Sequence, residues 1–509
     1  MGDAGVPIGP NETATLPSSH PTKSFWQTSH PNPVSHHRSS PSLPSKASIV
    51  VIGTGITGVF AVDELLARSP GLDVLVLDAR TTCSAATGRN GGHLVPLVHE
   101  QRPGIIAWEL RNYHHVANLV ESRKIPCDFR RLQSCIGFWN QTYFAEAKEA
   151  LKQATELAPQ QTNGQVRVVE DPDELTRLNL VHAVGALVQT TAASLSPYKL
   201  VTWLWQDLLE RHQASGQLNL QTETPVNEIQ SSSSGDYTIV THRGTVQTRH
   251  ILLATNGYTS HLLPCFSKLI SPRQAQMTAL IPPQASPFSR SLIPQSYGFS
   301  GVAGMDREMS DYLVQAPICD SDSNSDPDTL DRRAIASQGG QLMYGGGRQH
   351  ASGNGNYNSD DSYVDPEVER YLRTLPARLD LGNSSNATGR SHQGQTLSPQ
   401  AKDESDLQLE LQASWTGIIG SSADGHPWVG AVPDHPGLFI AAGYSGHGMP
   451  NAPLSGRHVA RLLLQSLKTV DIDCTLLQEH DVQPSNSSAA VALPIEYLVT
   501  KERMQKFNL

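Results

Sequence analysis

Several things are scarce in this chain of 509 residues. Aromatic residues make up only 6 % of it, and no apolar run reaches the roughly 20 residues of a membrane span. The six cysteines, Cys83, Cys127, Cys135, Cys265, Cys319 and Cys474, are scattered, with no C-x-x-C pair. That spacing argues against zinc and gives no metal site, and reduced thiols in an intracellular protein are the plain reading. Positive charge is also short. The formal net charge of −10 points away from nucleic acid and from an anionic membrane surface as partners.

No secretory signal is apparent at the start, and Lys506-Phe507-Asn508-Leu509 does not match a peroxisomal S-K-L tripeptide. A cytoplasmic location is the expectation. The sequons at Asn11, Asn140, Asn383, Asn386 and Asn486 carry little weight without a secretory route. No internal repeat is visible.

What is present is concentrated between Lys46 and Pro96. Ser48–Ile52 reads as a buried parallel strand, and Gly53-Thr54-Gly55-Ile56-Thr57-Gly58 follows it at once. Val59, Val62, Leu65 and Leu66 then recur at helical spacing until Ser69-Pro70-Gly71, and Val74–Leu77 is a second strand. Each glycine has a physical task. Gly53 permits the tight turn, Gly55 lets a pyrophosphate approach the backbone, and Gly58 lets the helix pack on its strand. The helix start, with Ile56 and Thr57, offers unpaired N–H groups to the anion. Asp78 lies 20 residues after Gly58, where a carboxylate reaches ribose hydroxyls, with Ala79 and Arg80 beside it. A lone G-x-G-x-x-G can be a glycine-rich turn and no more. Between a strand and a helix, with the second strand and its acid in place, it predicts dinucleotide binding.

Downstream, Ile105–Arg123 and Tyr143–Leu157 read as helices, and Phe129–Trp139 and Val184–Thr190 as strands. Pro197 suits the first turn of a helix through Leu209. Tyr237–Val240 and Val246–Thr248 form a hairpin leading into the buried strand at Ile251–Ala254. The expected fold class is α/β plus α+β, with a discontinuous Rossmann-like nucleotide domain and an antiparallel-sheet substrate domain. The expected division is a disordered extension over 1–45, nucleotide-domain parts at 46–103, 191–271 and 413–469, and substrate-domain parts at 104–190 and 272–412. Polar inserts at 320–340 and 382–406 read as surface loops, and 470–509 as a tail without assigned function.

Three separated segments resemble one flavoenzyme superfamily, that of D-amino acid oxidase, glycine oxidase and monomeric sarcosine oxidase. They are Gly53–Asp78, Ile251–Gly257, and Asp424-Gly425-His426-Pro427 through Gly443-Tyr444-Ser445-Gly446-His447-Gly448. The loop Ala86-Thr87-Gly88-Arg89-Asn90-Gly91-Gly92 is especially similar to the gamma-glutamylputrescine oxidoreductase branch. The resemblance implies FAD, held by the Gly53–Gly58 turn, by Asp78, Ala79 and Arg80, and by Thr87, Gly88, Arg89, Asn90, Gly91 and Gly92. It adds Val226, Ala254, Thr255 and Gly257, then Asp424, and finally Gly443, Tyr444, Gly446, His447, Gly448 and Met449. Small residues at 86–92 would make room for a flat cofactor, and the Gly443–Met449 loop would set N–H groups near the flavin N1–C2=O edge.

The implied reaction is oxidation of a C–N bond of a small amine or amino-acid-like substrate, with oxygen or another electron acceptor. Such enzymes also serve in secondary metabolism. His93, Tyr344, Arg348 and His447 are the catalytic candidates, with Trp415 beside them as a substrate contact, and each has an equally good structural alternative. Sarcosine oxidases attach FAD through a cysteine where this chain has Gly417, so non-covalent FAD is expected. Their carboxylate-holding lysine is replaced by Pro450, which argues against a simple sarcosine-like amino acid. Two other readings stay open: an NAD-linked dehydrogenase using Asp78, and a non-catalytic flavoprotein.

Overall fold

The computed structural model describes residues 9, 12–99, 101–232, 235–302, 305, 310–318, 339–382, 407–468 and 492–507. Apart from Gly339, Gly340 and Gly382, the expected inserts fall outside these residues, as do most of the tail, Cys319 and Cys474.

Short apolar runs build the nucleotide half. Ile49–Ile52 is flanked by His250–Leu253 and Val74–Leu77, all parallel and in register. Leu218–Gln221 extends one edge, and Leu438–Ala442 with antiparallel Trp428–Ala431 extends the other. The first strand thus sits where the strand order reverses, the place at which open α/β sheets bind ligands beyond their carboxyl ends. Helix Ile56–Arg68 covers one face and is itself covered by helix Ala452–Lys468. The fit is tight, since a Cβ on Gly58 would stand 2.0 Å from the Gly53 carbonyl and one on Gly456 would stand 2.4 Å from that of Thr57. The opposite face packs on a three-stranded meander, Val226–Ser231, Tyr237–Thr241 and Gly244–Thr248, which contains the expected hairpin.

The second half is a nine-stranded sheet. Its order runs Glu410–Ser422, Ile270–Ile281, Leu342–Gly346, Ser310–Gln315, Gln295–Ser300, Arg130–Phe138, Gly185–Ser194, His93–Leu94, with Val166–Val169 also paired to Gly185–Ser194. It is antiparallel as expected except where Gln295–Ser300 runs parallel to Arg130–Phe138. The pleat sorts side chains onto two faces. Register places Trp415, Met277, Gly345, Tyr312, Gly298 and Ser296 on one face, which joins the core of the nucleotide half through Trp415 and Met277. The alternate residues Tyr344, Leu313 and Tyr297 face away, into a separate core closed by helix Pro366–Arg373.

Three expected boundaries fall inside single strands: 190/191 in Gly185–Ser194, 271/272 in Ile270–Ile281 and 412/413 in Glu410–Ser422. The expectation that 1–45 is disordered is overturned for its described part. Helix Phe25–Ser29 carries a capping box between Ser24 and Gln27, and Phe25, Trp26 and Val34 are buried. A few large apolar anchors in a polar stretch order it, and average composition hides them. The tail is likewise partly ordered. Tyr497 is buried, and the Arg503 guanidinium lies 3.6 Å above the Trp428 ring. Among the described residues, no helix is long and apolar enough to cross a membrane and no group of three or more His, Cys, Asp or Glu could hold a metal.

Candidate active site

The nucleotide end follows from the turn after Ile49–Ile52. Gly53 has φ +115°, and a Cβ there would lie 2.5 Å from the Ala254 carbonyl, so only glycine fits. No side chain caps helix Ile56–Arg68. The Ile56 N–H donates to Thr87 Oγ1 at 3.1 Å, while the N–H groups of Gly55, Thr57 and Gly58 have no acceptor among the described residues. Unpaired N–H groups at a positive dipole end suit a pyrophosphate, which is the fit that an FAD requires. Asp78 Oδ2 accepts the Thr54 N–H at 2.8 Å, and Oδ1 accepts the Arg80 N–H at 3.0 Å. Burial raises the Asp78 carboxyl above its ordinary value, against the hydrogen bonds from Thr54 and Arg80. Oδ1 keeps acceptor capacity for a ribose hydroxyl, and Ala79 only continues the turn. Val226 starts the meander and is buried, and the Thr255 and Thr259 hydroxyls bond each other at 2.9 Å. A Cβ on Gly257 would meet Ile418 and the Ile419 carbonyl, both at 2.9 Å, so this glycine serves packing.

The loop at 86–92 is closely packed. Its small residues are demanded by the protein itself: a Cβ on Gly88 would be 2.1 Å from the Cys83 carbonyl, on Gly91 2.7 Å from the Tyr312 ring, and on Gly92 1.9 Å from the Leu195 carbonyl. The side chains of Arg80, Arg89 and Asn90 are used inside the fold. Arg80 Nη1 is 2.9 Å from Asp361 Oδ1, and Arg89 Nε is 3.6 Å from Asp361 Oδ2. Arg89 also donates to Ser84 O at 2.6 Å and Thr416 O at 2.7 Å, and burial lowers its pKa to about 10. The Asn90 amide bonds Ala86 O and Thr87 O and accepts the Gly92 N–H.

The third segment follows strand Leu438–Ala442. Gly443 (φ +79°) donates its N–H to Asn256 Oδ1 at 3.1 Å, and Ser445 donates to Gly420 O at 2.8 Å. Tyr444 is buried, with its phenol 3.0 Å from Thr57 Oγ1, so it ties this loop to the nucleotide helix rather than offering a free hydroxyl. The N–H groups of Gly446, Gly448 and Met449 have no acceptor among the described residues. Met449 is buried and accepts from Asn112 Nδ2 at 3.1 Å through its carbonyl. Asp424 is held within the fold. It pairs with Arg503 at 2.9 Å and accepts from Ser422 and from the His426 N–H.

Of the four catalytic candidates the fold brings two together. His93 Nε2 lies 2.7 Å from Ser296 Oγ, and its ring stacks on Tyr312 with centroids 5.6 Å apart and planes 10° from parallel. Burial, assisted by nearby His447, drops the His93 pKa to about 3, so this imidazole is neutral at ordinary pH. His447 Nε2 lies 3.1 Å from Glu109 Oε2. Tyr344 is on the wrong face: fully buried, it donates to Asp311 Oδ2 at 3.1 Å in the outer core. Arg348 opens the short turn Arg348–His350, which packs against helix Pro366–Arg373 on that same outer side. Trp415 is a buried brace that donates to Arg89 O at 2.7 Å. Sequence reasoning missed Tyr312, whose oxygen accepts the Gly91 N–H at 2.7 Å and whose pKa burial pushes up to about 12. It also missed Ser296 and Glu109. Glu109 had a signal, a charge on the apolar stripe of its helix.

The family model described as DAO, FAD dependent oxidoreductase, matches residues 48–462. The chain belongs to this family. Among curated relatives, the DAO-family protein is 22 % identical over 447 residues to the probable oxidoreductase OrdL of Rhizobium meliloti (strain 1021), covering 85 % of this chain and 87 % of that one. It is 38 % identical to the glycine oxidase of Geobacillus kaustophilus (strain HTA426) over 73 residues, 14 % of this chain and 19 % of that one. Its fold is that of crystalline glycine oxidase from Geobacillus kaustophilus, with TM-score 0.59 at 18 % identity over 83 % of this chain and 95 % of that one. L-proline dehydrogenase from P. horikoshii gives 0.58 at 19 % identity over 83 % and 94 %. This DAO-family chain is therefore an FAD-dependent oxidoreductase, and FAD rather than NAD is its dinucleotide.

Proposed function

We propose that this enzyme oxidises a C–N bond of a small amine or amino-acid-like molecule and passes the electrons to oxygen or another acceptor. Bound FAD supplies the hydride acceptor, its N5. With that acceptor in place, a C–N bond would be oxidised and, after hydrolysis, would leave a carbonyl compound and a free amine. Structures of the same fold support the reading by their own descriptions: a glycine oxidase, an L-proline dehydrogenase and an L-amino acid deaminase.

The chain's own residues divide the remaining work. The N–H groups of Gly55, Thr57 and Gly58 would hold the pyrophosphate, and Asp78 a ribose hydroxyl. Those of Gly446, Gly448 and Met449 would face the flavin's pyrimidine edge, where negative charge grows on reduction. The single observation that carries the proposal is the His93–Tyr312 stack. It stands on the sheet face that joins the nucleotide half, at the end of the Gly91-Gly92 segment. A neutral His93 can accept a hydrogen bond from a substrate nitrogen without repelling a cationic amine.

FAD is held without a covalent bond in this reading. The position of the linking cysteine is Gly417 here, and a Cβ on it would be in tight contact with the Arg89 Cβ at 3.2 Å. Pro450 in place of a carboxylate-binding lysine, and the putrescine-like loop at 86–92, favour an amine over a simple amino acid. The four described cysteines are free thiols, which suits a cytoplasmic setting.

The test is an anaerobic absorbance scan against amines and amino acids. Bleaching of the flavin band by one compound is the expected result, and the rate of recovery in air separates oxidase from dehydrogenase. A flavin that no nitrogen compound reduces, but that an alcohol or thiol does, would overturn the proposal.

A further inference from the structure

Helix Pro103–Arg123 buries a stripe that contains Ile105, Trp108, Asn112 and Val116, and on that stripe sits a carboxylate. Glu109 is 1 % exposed. Its oxygens are fully engaged: Oε2 accepts the Leu97 N–H at 2.8 Å and faces His447 Nε2 at 3.1 Å, and Oε1 accepts Asn451 Nδ2 at 3.0 Å. Asn451 is itself pinned, donating to His447 O at 3.1 Å and accepting the Tyr497 phenol at 3.0 Å. Tyr497 comes from the C-terminal segment, so three distant parts of the chain fix one histidine.

An ionised carboxylate buried this deeply is costly unless a counter-charge stands beside it. Among the described residues, His447 is the basic side chain within ion-pair distance of Glu109. His447 also lies in the turn whose N–H groups at Gly446, Gly448 and Met449 have no acceptor among the described residues.

We propose that Glu109 is a positioning residue that holds His447 as an imidazolium in the Gly446–Met449 turn, adding a fixed positive charge to those N–H groups at the flavin's pyrimidine edge. The proposal rests on the FAD reading given above. Charge that grows on the flavin as it is reduced is then met by an ion pair already in place. The groups facing this pair are the Tyr497 phenol, which burial keeps protonated, and His93, which is neutral. Two histidines at one site thus differ in charge, one bonded to a serine and one to a carboxylate.

Sulfite, which adds to oxidised flavin and gives an anionic adduct, probes this charge without any substrate. E109Q keeps a hydrogen-bonding side chain and removes the charge. It is expected to weaken sulfite binding at least tenfold and to make the two-electron potential about 30 mV more negative. H447Q should do the same, the double variant should lose no more than either single one, and H447K should keep most of the affinity. Should E109Q not fold, the contrast of H447Q with H447K decides. Sulfite affinity within twofold of wild type in H447Q, or an equal loss in H447K, would overturn the proposal. A wild type that binds no FAD on reconstitution would overturn the cofactor site as well, so the two failures are distinguishable.

Discussion

Trp26 donates its indole N–H to the Asn90 carbonyl at 2.7 Å, which ties the N-terminal segment to the loop before His93. Ser24 Oγ donates to Gly88 O at 2.6 Å, and Thr82 bonds back to the strap at Val34 and Ser35. The segment is therefore part of the cofactor half.

W26A should destabilise the enzyme by about 3–5 kcal/mol, the usual cost of removing a buried tryptophan. Deleting residues 1–45 should in addition speed FAD release. Thermal unfolding followed by flavin fluorescence reads both, and a deletion that melts with wild-type FAD retention would contradict this role.

Gly58 and Gly71 make a matched pair. A Cβ at Gly58 meets backbone at 2.0 Å, whereas one at Gly71 meets nothing within 4 Å. G58A should yield protein without FAD or no soluble protein. G71A should stay within about 0.5 kcal/mol of wild type, as surface changes do. Equal FAD content in the two variants would refute the packing argument.

Tyr312 and Tyr344 should part company in kinetics. Y344F removes one of the donors to Asp311, which still accepts from Tyr371 Oη at 2.6 Å and Gly347 N at 2.7 Å, so stability should fall by about 1 kcal/mol with kcat unchanged. Y312L removes the ring under His93 and should cut kcat/KM at least tenfold with FAD still bound. The reverse pattern would place the substrate on the other face of the sheet.

His93 has a folded pKa of about 3, lowered from 6.5 by burial. Between those values the unfolded chain binds the extra proton and the folded one does not, so stability rises with pH across pH 3 to 6.5. H93Q should flatten that slope, as measured by urea unfolding at several pH values. An unchanged slope would mean that the imidazole is charged in the folded enzyme.

The nucleotide turn was legible because its signals are local: strand, glycines, helix and Asp78 fall within one short stretch. The choice between Tyr344 and Tyr312 was not. Both sit in apolar strands, and only their pairing with Ile270–Ile281 and Gln295–Ser300 decides which side of the pleat meets the cofactor half. Arg89 and Asp361 could not be matched either, since a buried pair so far apart in sequence leaves no periodic trace. The described strap was hidden by the polar residues around Phe25 and Trp26. Glu109 was missed although it left a signal, a charge on a buried stripe, and its pairing with the expected site residue His447 left none.

Gly185–Ser194, Ile270–Ile281 and Glu410–Ser422 each run unbroken through the places where a domain boundary was expected. All three belong wholly to the nine-stranded sheet, so the chain crosses between the two halves beyond their ends, after Ser194, before Ile270 and after Ser422.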